Sequence, residues 1–209
     1  NSSAASDVYK RQDYEISFMI VFIVLVTLLI LYIVYENHTR NKELLKYAQT
    51  DALTGLYNKE TTEQLTDELL SEDENKYHAF LILDVDCFKQ INDIYGHAVG
   101  DIVLQKFGKL LKGTFREGDI LGRIGGDEFG VIMKNIQTKD IAMKKAEELL
   151  AKTQAYKIDE LKGNNISISI GISTAPQDGD CYMDLYKRAD QALYQAKRSG
   201  KARVCNYFS

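Results

Sequence analysis

The sequence has one proline and three cysteines in 209 residues, and no charge excess that would define a basic surface. A single proline argues against long proline-rich linkers. Cys87, Cys181 and Cys205 are odd in number, far apart and never spaced C-x-x-C. That usage fits a reducing compartment and argues against both a disulfide framework and a zinc site. With 26 basic against 30 acidic residues, the net charge is −4 and the pI about 5.5. No broad positive field is available for a nucleic-acid backbone, so nucleic acid is not an expected partner. There is no initiator methionine, internal repeat or low-complexity segment. The chain therefore reads as a fragment, in which residues 1–12 need not be native. The remaining composition, 45% hydrophobic and 27% charged, suits one folded domain plus an appendage.

The appendage is a long apolar run. Ile16 to Tyr35 carries no charge. As a helix these residues would span about 30 Å, the thickness of a bilayer core. Tyr14 stands at one end and Tyr32 and Tyr35 at the other, as in an aromatic belt. A buried core helix rarely runs so far without a polar face. A signal peptide has a shorter apolar region and a small-residue cleavage site, which does not follow here. The expected order is an N-terminal segment at 1–15, a transmembrane helix at 16–35, a juxtamembrane helical stalk at 36–50 and a globular domain at 51–209. Lys10 and Arg11 precede the span and Arg40, Lys42 and Lys46 follow it. This slight excess favours a cytoplasmic C-terminal side. The stalk is too short to establish a coiled coil from heptads.

In the domain, a turn-rich junction (Asp51 to Lys59) leads into a short amphipathic helix with Leu65, Leu69 and Leu70. Ala79 to Leu83 is continuously apolar and reads as a central strand buried on both faces. It ends at Asp84-Val85-Asp86, whose two acids share a side if the strand persists. A helix is expected from Asp101 to Phe115 and another from Asp140 to about Thr153. Asn165 to Ile172 alternates isoleucine with small or polar residues, the pattern of a strand with one buried face. Leu185, Ala189, Ala192, Leu193 and Ala196 mark the last helix, with Gly200 as its cap, and Ala202 to Tyr207 reads as a closing strand. Strands alternating with helices, and a hairpin between them, give an α/β class with a mixed sheet.

The hairpin is Arg123-Ile124-Gly125-Gly126-Asp127-Glu128-Phe129-Gly130, flanked by apolar residues. Adjacent glycines suit a tight turn because they tolerate positive φ. Asp127 and Glu128 would sit at its tip, where packing does not call for two acids. Alone they would be a solvated acidic turn. If the hairpin neighbours the central strand, the Asp84 and Asp127 carboxylates reach one point at the sheet's end. Such oxygens suit Mg²⁺, a hard cation that also takes phosphate oxygens and lowers the pKa of an attacking hydroxyl. Lys89 and Lys197 can neutralise phosphates, and Asn92 and Asp101 can read a base edge. His97 reads as a structural hydrogen-bonder between glycines rather than a metal ligand, and Asp86 and Asp93 as turn-capping or orienting acids.

These residues resemble a known family. Gly125-Gly126-Asp127-Glu128-Phe129 matches the signature of the GGDEF family, the diguanylate cyclases. Further landmarks match in order: Asp51-x-Leu53-Thr54-Gly55-Leu56-x-Asn58, Asp84-x-Asp86-x-Phe88-Lys89-x-x-Asn92-Asp93, Gly96-His97-x-x-Gly100-Asp101, and Ala189-Asp190-x-Ala192-Leu193-Tyr194-x-Ala196-Lys197. The resemblance covers roughly residues 50–207. It implies a fold like the palm domain of nucleotidyl cyclases and polymerases, and condensation of two GTP into cyclic di-GMP with release of pyrophosphate. It implies that Asp84, Asp127 and the Val85 carbonyl bind Mg²⁺, with Mn²⁺ as the alternative. Glu128 would support the second metal position or the attacking 3′-hydroxyl, and the identity of the base stays open. Asn92 and Asp101 would hydrogen-bond guanine, Lys89 would stabilise charge on the phosphates, and Lys197 and Lys201 would bind phosphate beside Gly125 and Gly126. Each family domain holds one GTP, so a homodimer is implied. Arg116-Glu117-Gly118-Asp119 matches the family's inhibitory product site, where Arg116 and Asp119 would hold cyclic di-GMP.

The sequence departs from the family at three points. Lys59 stands where arginine is usual, and Lys201 and Ala202 stand where arginine and asparagine are common. Lysine keeps charge but not the two-pronged geometry, so weaker phosphate binding is expected. The location implied is the inner membrane, single-pass as seen, with the domain cytoplasmic. Two rivals remain at this point. One is a catalytically silent membrane receptor that binds cyclic di-GMP at Arg116 and Asp119. The other is a palm-type enzyme that closes one GTP to cyclic GMP.

Overall fold

The computed structural model describes residue 19 and residues 22–40, 48–72 and 76–207, in two compact units, Asn1–Ala48 and Gln49–Ser209. The expected N-terminal segment at 1–15, the start of the expected span and stalk residues 41–47 lie outside the described residues. Helix α1 (Phe22–Arg40) has 19 residues and a mean hydropathy of 1.7, long and apolar enough to cross a membrane. Its large apolar side chains, Val26 apart, are exposed. Thr27 donates its hydroxyl back to the Ile23 and Val24 carbonyls, so it adds no unpaired polar group to an apolar surface. The helix runs past Tyr35 into a polar turn where Arg40 pairs with Glu36 at 3.0 Å.

The second unit is a five-stranded sheet ordered β2-β3-β1-β4-β5. The strands are β1 (His78–Val85), β2 (Ile120–Arg123), β3 (Glu128–Met133), β4 (Ile168–Ala175) and β5 (Val204–Asn206). The helices are α2 (Lys59–Glu72), α3 (Phe88–Tyr95), α4 (His97–Thr114), α5 (Lys139–Ala155) and α6 (Tyr182–Arg198). β1 lies in the middle, antiparallel to β3 and β4, and β5 joins β4 in parallel. All of β1 is buried. Its alternate side chains supply two cores. Leu81, Leu83 and Val85 pack with Phe107, Leu111 and Leu149 of α4 and α5. Phe80 and Ile82 pack with Tyr182, Leu185, Ala189 and Leu193 of α6. This is the mixed α/β sheet expected from the sequence.

Four local expectations are corrected. Phe88–Tyr95 is a helix of its own, and α4 begins at His97 rather than Asp101. β4 begins at Ile168 and is buried on both faces, not one. Its second face is made of Ser169, Gly171 and Ser173, small enough for α6 to press directly onto the sheet. A Cβ on Gly171 would lie 2.1 Å from the Ala189 carbonyl oxygen and 2.3 Å from the Leu193 nitrogen. Gly200 is not the cap residue of α6 but the one after it. Its N–H reaches the Lys197 carbonyl while that of Lys201 reaches Ala196, a Schellman closure. Finally, β1 ends at Val85, so Asp86 lies in a turn rather than in the strand.

Candidate active site

β2 and β3 form the expected hairpin, and its register on β1 pairs Asp84 with Glu128. The turn between them brings Asp127 alongside: the Val85 N–H donates to the Asp127 carbonyl at 3.2 Å. Neither Gly125 nor Gly126 adopts the left-handed φ expected of them. Their role is room. A Cβ on Gly125 would come within 2.9 Å of the Glu128 carboxylate, whereas nothing lies within 4 Å of the corresponding point on Gly126. The turn is thus open at Gly126 and filled by Glu128 at Gly125.

The acids are not equivalent. Asp84 is only 7% exposed. Burial pushes its carboxyl above the ordinary range, Lys197 draws it back, and the charges of Asp127 and Glu128 push it up again. Lys197 Nζ sits 2.7 Å from Asp84 Oδ2, so the lysine expected to meet phosphate contacts a carboxylate here. Among the described residues, the one group of three metal-ligand side chains within 4.8 Å of one another is Asp180, Cys181 and Asp184, at the start of α6. The Asp84, Asp127 and Glu128 oxygens are more widely spread. Their chemistry still fits a hard cation: all are oxygen donors at one end of the sheet, and the repulsion that Asp127 and Glu128 exert on Asp84 is what a divalent ion relieves.

α3 and α4 carry the residues expected to read a base. Asn92 on α3 lies against α4, and a Cβ on Gly100 would lie 1.9 Å from Asn92 Oδ1. That oxygen is buried and has no hydrogen-bond partner. A buried amide oxygen in this state is a ready acceptor. Asp101 follows Gly100 directly and is exposed, as is Lys89.

Behind these groups, Asp86 acts as a tie. Its carboxylate accepts from the Ser167 hydroxyl at 2.8 Å, the Ser169 hydroxyl at 2.7 Å and the Ala202 N–H at 3.1 Å. The turn it holds has Lys201 and Ala202 at φ of 61° and 48°. Lys201 Nζ reaches Cys87 Sγ at 3.1 Å, just before α3. The orienting role read for Asp86 in the sequence is what these bonds show, but the paired left-handed residues were not legible. Their one signal was the absence of the usual asparagine, a residue that tolerates this conformation, at position 202.

Arg116 and Asp119 come together away from these acids. Arg116 Nε donates to Asp119 Oδ1 at 3.0 Å, and a further Arg116 nitrogen donates to the Lys134 carbonyl. Asp119 also accepts from the backbone N–H groups of Arg116 and Lys134. The pair borders a groove of about 580 Å³ with Thr114, Phe115, Ile136, Ile141 and Lys145. One connection was missed entirely: Arg123, at the end of β2, joins the Gly125–Asp127 turn to Asp51.

Comparison with known proteins gives this arrangement its family. The profile described as "Diguanylate cyclase, GGDEF domain" matches residues 48–203. Diguanylate cyclase A of Treponema denticola is 37% identical over 170 residues, covering 78% of this chain and 46% of that protein. Response regulator PleD of Caulobacter vibrioides is 37% identical over 177 residues, covering 81% of this chain and 39% of that protein. The chain therefore spans less than half the length of these two relatives. Among solved structures, the coiled coil and GGDEF domain of DgcB from Caulobacter crescentus, in complex with c-di-GMP, superposes with a TM-score of 0.76. It is 26% identical and covers 83% of this chain and 93% of that one. The isolated GGDEF domain of TpbB from Pseudomonas aeruginosa gives 0.72 at 33% identity, covering 76% and 94%. Motif order, the superposition and the match across most of the chain agree, and the chain belongs to the diguanylate cyclase GGDEF-domain family.

Proposed function

We propose that this chain is the membrane-anchored catalytic portion of a diguanylate cyclase, which joins two GTP into cyclic di-GMP. The observation that carries the reading is the β1–β3 register, which pairs Asp84 with Glu128 and hydrogen-bonds Val85 to Asp127 at one end of the sheet. Asp84, Asp127 and the Val85 carbonyl would hold Mg²⁺ or Mn²⁺, with Glu128 supporting the second metal position or the attacking hydroxyl. Bound there, the cation neutralises phosphate charge and makes a 3′-hydroxyl easier to deprotonate.

The protein's own groups do the rest. Asn92 and Asp101 receive guanine, the carboxylate accepting from its N–H groups. Lys89, Lys197 and Lys201 neutralise the triphosphate, with the side-chain-free Gly125-Gly126 turn, open at Gly126, allowing its approach. The 3′-oxygen of one GTP bonds to the α-phosphorus of the other. The bond from that phosphorus to pyrophosphate breaks, and the hydroxyl proton leaves to the surrounding base or water. The second linkage repeats the step in the other direction, so two pyrophosphates are released. One domain holds one GTP, and two copies face each other. Product would return to Arg116 and Asp119 beside their groove as feedback. The apolar α1 supports an anchor in the inner membrane, with the domain on the cytoplasmic side.

The test uses the full chain in lipid nanodiscs with GTP and Mg²⁺, the nucleotides being separated by chromatography and weighed. Cyclic di-GMP and pyrophosphate from the wild type, with none from Asp127→Ala, support the reading. Intact GTP from a folded dimer refutes it, and cyclic GMP would make the chain a single-substrate cyclase.

A further inference from the structure

We infer that Arg123 is a positioning residue for the catalytic turn, fastening the Gly126–Asp127 peptide to the junction segment through Asp51. The inference rests on the cyclase reading for its activity readout and on geometry for the rest.

Arg123 Nε and Nη2 both donate to the Gly126 carbonyl, at 3.1 and 2.7 Å. Its Nη1 lies 3.3 and 3.1 Å from the two oxygens of Asp51. Gly126 has no side chain of its own, and nothing lies within 4 Å of the point where a Cβ would stand. The guanidinium therefore supplies what packing does not. The carbonyl it grips belongs to the same peptide plane as the Asp127 nitrogen, so fixing that carbonyl fixes how the chain enters Asp127. Beyond Asp127, the Val85 N–H grips the next carbonyl. The turn is held at two successive peptides, one grip from the sheet and one from Arg123.

The far end of the clamp is also fixed. Asp51 accepts from the Thr54 N–H at 2.9 Å and its hydroxyl at 2.7 Å. Burial raises its carboxyl, but the Thr54 bonds and the Arg123 charge outweigh this and hold it below the ordinary range. The Arg123 and Asp51 side chains are 16% and 23% exposed, so water screens them only in part. The backbones run together as well: Arg123 N–H donates to the Tyr57 carbonyl at 2.8 Å, and Tyr57 N–H to Leu121 at 3.0 Å. A shift of residues 51–57 is thus passed to the turn that carries Asp127. Lysine cannot reproduce this, because one ammonium cannot span two acceptors in the fixed plane of a guanidinium.

The experiment compares the wild-type chain in nanodiscs with Arg123→Gln, Arg123→Lys, Asp51→Asn and the double variant Arg123→Lys/Asp51→Asn. It reads Mn²⁺ affinity by electron paramagnetic resonance without nucleotide, kcat and KM for GTP, and thermal unfolding. Arg123→Gln should lower kcat by about 30-fold, the scale of a displaced reacting group. Mn²⁺ affinity should fall about tenfold, as when a ligand loses its support. KM should stay near the wild-type value, because Asn92 and Asp101 lie on other elements. Arg123→Lys should remain impaired, and adding Asp51→Asn to it should cost little more, since both act through one clamp. Should Arg123→Gln fail to fold, the Lys and Asn variants carry the same comparison. Wild-type Mn²⁺ affinity and kcat in folded variants overturn the inference, as does a loss that tracks only the folded fraction. A wild type that makes no cyclic di-GMP defeats the cyclase reading instead, and the Mn²⁺ series still decides the role of Arg123.

Discussion

Replacing Gly171 by alanine should unseat α6. The new methyl would stand 2.1 Å from the Ala189 carbonyl oxygen and 2.3 Å from the Leu193 nitrogen, where ordinary contact needs at least 3.4 Å. Both obstacles are backbone, so no rotamer change relieves them. The helix must retreat by about 1 Å, and a gap of that size forfeits roughly a quarter to a half of each facing contact. The contacts at stake are those of Leu185, Ala189 and Leu193 with Phe80 and Ile82. Overpacking of this kind costs about 3 kcal/mol. In a unit of this size that lowers the melting temperature by roughly 6–12 °C. Because α6 also carries Lys197, its pairing with Asp84 should loosen in the folded fraction. The assay is urea and thermal unfolding of the full chain in detergent, followed by far-UV circular dichroism. Ser173→Ala serves as the control on the same face. It removes one bond, from the Ser173 hydroxyl to the Leu185 carbonyl at 2.8 Å, and should cost about 1 kcal/mol. A Gly171→Ala protein as stable as Ser173→Ala would refute the close packing of α6 on β4.

Three more outcomes are expected. Ala202→Gly should stabilise the domain by about 1 kcal/mol, because alanine sits at φ 48° where a β-carbon is strained, and unfolding midpoints would reveal it. Lys197→Met should move the pH midpoint of Mn²⁺ binding upward. The sign follows from Asp84, whose folded pKa lies above its ordinary 3.8 through burial, with Lys197 opposing the rise. A raised acid favours folding below that ordinary value and loses this contribution as pH climbs through the folded pKa. Removing Lys197 extends the protonated window, so the metal must displace a proton to higher pH. Asp119→Ala should strand the backbone N–H groups of Arg116 and Lys134, costing about 1–3 kcal/mol. It should also abolish inhibition by added cyclic di-GMP, measured as turnover against product concentration.

The strands and the last helix were legible because their apolar residues repeat at the periods that burial requires. β1 showed as a continuous apolar run and α6 as leucines and alanines on one face. α3 did not show, because none of its residues is fully buried. β4 misled for a different reason. Serine and glycine read as a wet face, yet their small volume is what admits a helix. For the site, the neighbouring of Asp84 and Asp127 followed once the hairpin lay beside β1. The contacts between Lys197 and Asp84, and between Arg123 and Asp51, are long-range ion pairs. No periodicity announces a pair of residues so far apart in the chain, and only the folded geometry supplies it.

The corner after α6 has a consequence for length variation. Gly200, Lys201 and Ala202 are three successive residues at positive φ. They close the helix, hand the Ala202 N–H to Asp86, and deliver Val204 opposite Ile170. Each bond belongs to a different element, and together they count the residues between helix and strand. An insertion or deletion here would slip β5 by one position and turn its side chains to the opposite face. The corner should therefore be intolerant of indels, although it is a surface turn, where length usually varies most freely.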